Sequence, residues 1–281
     1  MTAFDMVRWI MNFMDNGQVL AAAMEQSAVD LGCRPEDFGK KESVIVYSGK
    51  ADGARKYLEL PFFCNLVSYG GNIVASVDPG IEQVVRDYIT RYTTAHCFET
   101  PNLHVLSDAF APFGMKICFM AEYFLPDMNE LYSGKMQELI GKVEQKGYEL
   151  RLLSGEDFAG LYTSKWSNAL CEKRKELDVL GIGAYEGGKL IGLAGCSADC
   201  DSMWQIGVDV LEEHRRQGIA AALTNSLAKA ILEREKLPFY CAAWSNIGSV
   251  RNAVKAGFRP AWVEMTAKSA EFVDELIKGG Q

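Results

Sequence analysis

The stretch Val208-Asp-Val-Leu-Glu-Glu-His-Arg-Arg-Gln-Gly-Ile-Ala220 decides how this chain folds. Val208 and Val210 alternate with Asp209 at the two-residue period of a strand. The charged run from Glu212 to Gln217 has no place in a core, and Ala220 to Ala230 is rich in strong helix formers without a proline. The segment therefore predicts a strand, a turn and a helix that starts near Gly218. The first N–H groups of such a helix lack intrahelical partners and sit at the positive end of its macrodipole. The turn from Arg215 through Arg216, Gln217, Gly218, Ile219 and Ala220 to Ala221 is thus expected to hold an anion, with Gly218 and Ala220 leaving room for phosphates to reach the backbone.

A second pattern follows at a fixed distance. Phe239-Tyr-Cys-Ala-Ala-Trp244 reads as an apolar strand, Asn246-x-x-Ser249 as a helix start, and Gly257-Phe258 as the left-handed stop of that helix before another strand. Arg215-x-x-Gly218-x-Ala220 after a Val-x-Val strand resembles the acyl-CoA pyrophosphate loop of the GCN5-related N-acetyltransferase (GNAT) superfamily. The Asn246 to Phe258 segment resembles the motif that comes next in that family. The resemblance implies acetyl-CoA as acyl donor, held by Val208, Asp209, Val210, the Arg215 to Ala221 turn, Asn246 and Ser249.

The carboxyl-terminal half can be read in order. Strands are expected at Tyr148 to Leu153, 179–185, 190–197 and 203–210. A helix starting at Ser154 is expected to run to about Cys171. Then come helix 218–235, strand 239–244, helix 249–256 and strand 258–265. That order resembles the GNAT fold from its first strand to its sixth, but Ala267 to Lys278 reads as an amphipathic helix where a seventh strand is usual. Gly183-Ala-Tyr-Glu-Gly-Gly188-Lys189 matches most of a P-loop, yet Leu190 follows where a Ser or Thr would meet magnesium, and strand-like segments flank it. A hairpin turn at Glu186-Gly-Gly188 fits better.

With 281 residues the chain exceeds the usual size of a single core. The expected class is α+β: a GNAT-type twisted mixed sheet flanked by helices in residues 146–281, and an α+β domain in residues 1–140, with the linker between Pro126 and Gly147. In the amino-terminal half, helices are expected at Phe4 to Met14 and Gln18 to Leu31, broken at Asn16-Gly17. Strands are suggested at Ser43 to Tyr47, Asn65 to Tyr69, 72–77 and 116–124, and helices at Pro79 to Arg91 and Pro101 to Phe110. This series loosely resembles a degenerate GNAT copy in which Val77 to Glu82 lacks the anion loop. The alternative is an unrelated accessory domain.

The net charge of −8 argues against a nucleic-acid partner. No run of eighteen apolar residues exists, the stretch Ile117 to Leu125 being interrupted by Glu122, and the amino terminus is unlike a signal peptide. A cytoplasmic protein without a membrane partner follows as the default; a homodimer is compatible with the sequence. The eight cysteines read as reduced, buried thiols. Cys196 and Cys200 lack the second ligand pair a metal site needs, so no metal is expected. His214 reads as a solvent-facing member of the anion loop.

The resemblance implies an acyl-CoA-dependent N-acyltransferase that moves acetyl from acetyl-CoA to a primary amine of a small molecule by direct attack. A backbone N–H near Val210 would stabilise the developing oxyanion. The amine must also lose a proton. Trp204 stands about where some members carry a glutamate base, leaving Glu213, Asp209 and Glu264 as candidates, although surface charge explains all three. The family's proton-donating tyrosine is replaced by Ala253; Tyr240 and Ser245 are nearby candidates, and core packing accounts equally well for Tyr240. The absent tyrosine favours the alternative of a non-catalytic CoA-binding or sensing protein of GNAT fold.

Overall fold

A computed structural model describes residues 14–279; the helix expected from Phe4 lies outside these residues but for Met14. Ten strands form one sheet: β1 (Val44–Tyr47), β2 (Cys64–Ser68), β3 (Val74–Val77), β4 (Met115–Pro126), β5 (Glu149–Ser154), β6 (Asp178–Glu186), β7 (Lys189–Ser197), β8 (Met203–Val210), β9 (Leu237–Ala242) and β10 (Phe258–Ser269). The helices are α1 (Asn16–Leu31), α2 (Glu82–Arg91), α3 (Thr100–Phe110), α4 (Met128–Leu131), α5 (Gly134–Gln145), α6 (Ile219–Leu232), α7 (Ile247–Lys255) and α8 (Ala270–Gly279). Among the described residues no helix is long and apolar enough to cross a membrane.

The strand order is β1-β3-β2-β10-β4-β9-β8-β7-β6-β5. Only β1/β3 and β8/β9 pair in parallel. The carboxyl-terminal meander β5 to β8 follows the order read from its alternating patterns. Gly187 and Gly188, both at positive φ, close the β6–β7 hairpin between the paired Glu186 and Lys189. Two positive φ values in a two-residue loop match the twist of the flanking strands, which settles the P-loop-like segment as a turn.

Among the described residues no strand follows β10. The gap is filled from upstream, because β4 of the amino-terminal half lies between β9 and β10 and pairs antiparallel with both. The two halves therefore share one sheet. Among the described residues the parallel crossover β8-α6-β9 has no counterpart upstream: β3 and β4 are not neighbours, and a 3-10 turn separates α2 from α3.

Three further expectations are corrected. The stretch expected as a linker holds α4 and α5, with Val143 of α5 buried and Leu139 packed against the main core. The helix expected from Ser154 to Cys171 stops after one 3-10 turn, although its start is right: the carboxylate of Asp157 accepts from the Ser154 N–H at 2.7 Å. Asn16 and Gly17, read as a break, form the first turn of α1, which Asp15 and Gln18 close with a reciprocal capping box.

Successive side chains on a strand point to opposite faces, which sorts the core. Phe124 of β4 meets Tyr240, which in turn packs on Phe258, on the side covered by α6 and α7. Its neighbour Tyr123 stacks on Trp262 on the side covered by α1, where the ring centroids lie 4.6 Å apart. On that second face lies a buried ion cluster. Arg55 donates to Asp30 through Nε and to Glu264 through Nη2 at 2.7 Å, and Trp262 Nε1 also donates to Glu264, at 2.8 Å. All three charged side chains are almost fully buried. Losing one partner of such a buried set costs about 3–5 kcal/mol, because an unpaired charge remains in the core. The cluster thereby ties α1 and the β1–β2 connection to β10. Glu264, expected on the surface, is 4% exposed and structural.

Asp199, in the turn between β7 and β8, is fully buried, with Oδ1 accepting from the Ser197 hydroxyl and Oδ2 unpartnered. Burial pushes its carboxyl up to about 6 against the lowering effect of that hydroxyl. A carboxyl raised in the fold binds its proton more tightly there than in the unfolded chain. Its contribution to stability is therefore full below about pH 4 and is lost as the pH rises to about 6. Asp199→Asn should raise the melting temperature at pH 8 and raise it less, or not at all, at pH 4. A gain independent of pH in thermal melts would show that the buried charge is not its source.

Candidate active site

Strands β8 and β9 pair from Met203↔Leu237 to Ile206↔Tyr240 and then part. Strand β8 continues to Val210 against β7 alone. Beyond Ile206, the backbone groups of Gly207 to Val210 that face β9 have no strand partner, and a cleft of about 730 Å³ opens between the two strands. An unpaired strand edge in a cleft is a template for the polar backbone of an extended ligand.

The loop expected to hold an anion stands at one end of this cleft. After β8 the chain makes a 3-10 turn, Glu212–His214, and Arg216 takes a positive φ of 61° before Gly218 at 90° opens α6. No side chain caps this helix, so its first N–H groups are free of protein side chains. The Nε of Arg215 donates to Val210 O at 3.0 Å and fixes its guanidinium beside the end of β8. Val208, Asp209, Val210, Arg215, Arg216 and Ala220 all line the cleft, as do Tyr240, Asn246 and Ser249.

Several residues have other roles than the sequence suggested. Gly218 takes a positive φ of 90°, which favours glycine, and a Cβ there would also lie 2.8 Å from Leu139 Cδ1 of α5. Ile219 and Ala221 are buried in the core and do not line the cleft. Gln217 also stands off the lining. Asn246 Oδ1 accepts from Ser249 N at 3.1 Å and is the N-cap of α7, which accounts for it without a ligand. His214 is not solvent-facing, for its ring packs edge-on against Tyr148 and its side chain is 14% exposed.

Asp209 fastens one wall. Its carboxylate accepts from Asn168 N, Asn168 Nδ2 and Ala169 N at 2.7–2.9 Å, holding the 164–170 segment across the sheet. The carbonyl oxygens of Asn168 and Ala169 press so closely on Gly207 and Gly195 that a Cβ there would stand 1.8 and 2.2 Å from them. Only glycine permits that approach. Asp209 is therefore an anchor that accepts three N–H hydrogen bonds and not a free surface charge. Glu213 is exposed on the 3-10 turn and Ser245 is exposed after β9; neither lines the cleft.

Tyr240 sits where the strands part. Its hydroxyl is 2.8 Å from Ser249 Oγ on α7. Burial raises its pKa, partly offset by hydrogen bonds from Ser249 and Asn252, so it stays protonated at neutral pH. Ala253 is fully buried and faces the core. Cys241 lines the cleft, but burial pushes its thiol up to about 12, which disqualifies it as a nucleophile near neutrality. Gln205, whose Nε2 donates to Cys241 Sγ, also lines the cleft and was missed in the sequence, where a lone Gln in a strand carries no signal. Trp204 is half-buried against the core and does not line the cleft.

A family model described as GNAT acetyltransferase matches residues 81–261, more than half of the chain, and the protein belongs to that family. Similar solved structures include a GCN5-related N-acetyltransferase-like protein from Streptococcus suis 89/1591, at 21% identity over 60% of this chain and 69% of that one, with a TM-score of 0.44. Another is a GNAT-family acetyltransferase from Colwellia psychrerythraea, at 15% identity over 75% and 84%, with a TM-score of 0.41. A third, from Kribbella flavida, is 19% identical over 61% and 65%, with a TM-score of 0.38. No curated protein matches this chain.

The anchoring role of Asp209 has a measurable consequence. Asp209→Ala removes an acceptor of three hydrogen bonds and should cost about 1–3 kcal/mol in denaturant unfolding. Asp209→Asn, which keeps one acceptor oxygen, should lose less and leave the shape of any pH–rate profile unchanged. A profile that loses its acidic limb, the low-pH rise that reports a base, in Asp209→Asn would assign Asp209 as the base.

Proposed function

We propose that the protein is an acyl-CoA-dependent N-acyltransferase that moves acetyl from acetyl-CoA to the primary amine of a small molecule. Family membership supports acyl-CoA-dependent transfer in general. One observation carries the reading to these residues: the unpaired edge of β8 runs straight from the parting point at Tyr240 to the uncapped start of α6, with Arg215 and Arg216 beside it. An anionic pyrophosphate suits the free N–H groups and guanidinium groups. An extended amide chain suits the strand edge. Residues 146–281 supply this cleft except for Ala121, and we assign residues 1–140 to the acceptor wall and to closure of the sheet.

The thioester is the donor group that bound acetyl-CoA supplies. The chain's own part is to hold and orient it, with backbone N–H groups of the Gly207 to Val210 edge available to its carbonyl oxygen. In this reading the amine nitrogen bonds the acetyl carbon as the C–S bond breaks, Tyr240, its hydroxyl held by Ser249, passes a proton to the departing sulfur, and the proton the ammonium sheds to water returns to the tyrosine. A thiol with a pKa near ~8.5 leaves without a strong acid, so this donor assists and is not indispensable.

A second reading, a CoA-binding protein without turnover, draws on the buried Ala253 where the resemblance places a tyrosine. Thiol release from acetyl-CoA with pooled amines separates the two readings, since a binder releases no CoA above the hydrolysis background.

Ala220→Glu tests the binding site. Glutamate in the first turn of a helix favours the helix dipole, so the fold should be retained, while its charge in the cleft repels a pyrophosphate. Acetyl-CoA affinity measured by calorimetry should fall at least about tenfold, a loss of about 1.4 kcal/mol. Unchanged affinity in the folded variant would remove the site from this loop. For Tyr240→Phe, kcat should fall by about 10²-fold, the lower end of general acid catalysis, with acetyl-CoA affinity and melting temperature near wild type. Full activity in that variant would assign the proton to water.

A further inference from the structure

Strand β9 parts from β4 as well as from β8. Their register spans only Glu122↔Ala242 to Phe124↔Tyr240, so β4 from Met115 to Ala121 has no strand beside it on that edge. A groove of about 480 Å³ opens there, lined among others by Phe98, Pro101, Met120, Glu122, Trp244 and Val263. It adjoins the cofactor cleft: Ala121 lines both, and Trp244 follows Ala243 of the cleft wall.

The walls are apolar and the charge is negative. Glu122 is half-buried, and its carboxylate has no hydrogen bond or ion pair among the described residues. Glu99, a second acid at the rim, has only a 3.7 Å contact with the exposed His96. Glu264, also at the groove, is already paired with Arg55. The start of α3 at Thr100 contributes a positive end worth about half a charge, which two carboxylates outweigh. Trp244, 66% exposed, offers an aromatic face of the kind that attracts cations. A volume of this size suits a small molecule.

We propose that this groove is the acceptor subsite and takes a primary ammonium carried on a short apolar or aromatic body, with the ammonium on Glu122 and the body against Trp244, Met120 and Pro101. The proposal rests on the acyltransferase reading for its place in the reaction, but the binding it describes stands by itself. The groove lies beside the point where the cofactor cleft ends, so an amine held on Glu122 approaches the donor from the β4 side. An anionic acceptor would meet two acids, and a polyamine would leave the apolar wall uncovered.

The test uses phenethylamine as probe, with 2-phenylethanol, phenylacetate and putrescine as controls, titrated by calorimetry into the full chain with and without CoA. Phenethylamine should bind at least about tenfold more tightly than each control. Glu122→Gln and Trp244→Ala should each weaken it by a similar factor, at unchanged melting temperature and acetyl-CoA affinity. Both sites are at least partly solvent-exposed, so the variants are expected to fold. Absence of phenethylamine binding, equal binding of putrescine, or binding unaltered in both variants would overturn the proposal. The acyltransferase reading fails separately: it falls if no pooled amine releases CoA thiol, whatever phenethylamine does at the groove. Conversely, turnover of polar amines with no effect of Glu122→Gln would keep the acyltransferase and move its acceptor elsewhere.

Discussion

The parting of β8 from β9 after Ile206 and Tyr240 is the constraint on which the rest of the structure depends. A parallel pair that ended in ordinary turns would leave no unsatisfied edge and no room for a ligand. Here the sequence forces the separation from both sides. On the β8 side, Asp209 and the glycines Gly195 and Gly207 draw the 164–170 segment down onto the sheet. On the β9 side, the chain turns at Ala243 into α7, whose start is fixed by Asn246. The cleft is thus built into the resting fold, and a ligand that uses it has little ordering to do.

The start of α6 is held with the same economy. Gly218 opens it at a φ of 90° with Leu139 of α5 packed close by, and Asn225 of α6 donates to Leu131 O and Ala256 O, both at 2.9 Å, joining α4 and the end of α7 to the same helix. Gly257, at a φ of 95°, closes α7 as its sequence predicts and also lets Leu131 approach to where a Cβ would stand 2.7 Å away. The anion loop is therefore positioned by the segment between the two halves. Gly218, which opens α6 in the left-handed region, also packs against Leu139 of that segment.

What the sequence made legible was local. Alternation in 203–210, the helix formers of 220–230, the Gly-Gly hairpin and the Gly257 stop all act within a few residues, and each appears where it was expected. What escaped was decided at long range. Nothing in Met115 to Pro126 says that it will pair with 258–269 and 240–242, because strand partners are chosen by the whole sheet. Met136, Leu139, Ile140 and Val143 in α5 repeat at helical spacing, a local signal that runs against a linker there. Glu122 looked like an interruption in an apolar run. Its setting beside Trp244 becomes visible only once β4 is placed next to β9.

The insertion of β4 also changes what the amino-terminal half is for. Tyr123 and Phe124 of β4 pack on opposite faces against β9 and β10, so the strand that carries Tyr240 is supported by residues from the other half of the chain. The Arg55 cluster fixes β10 from the same direction by pairing with Glu264. Without these contacts β9 and β10 would each expose an unpaired edge and Glu264 would keep a buried charge without its cation, both costly in a core. The cleft therefore leans on residues from both halves of the chain. Its geometry at Tyr240 is set by a strand that lies more than a hundred residues upstream in the chain.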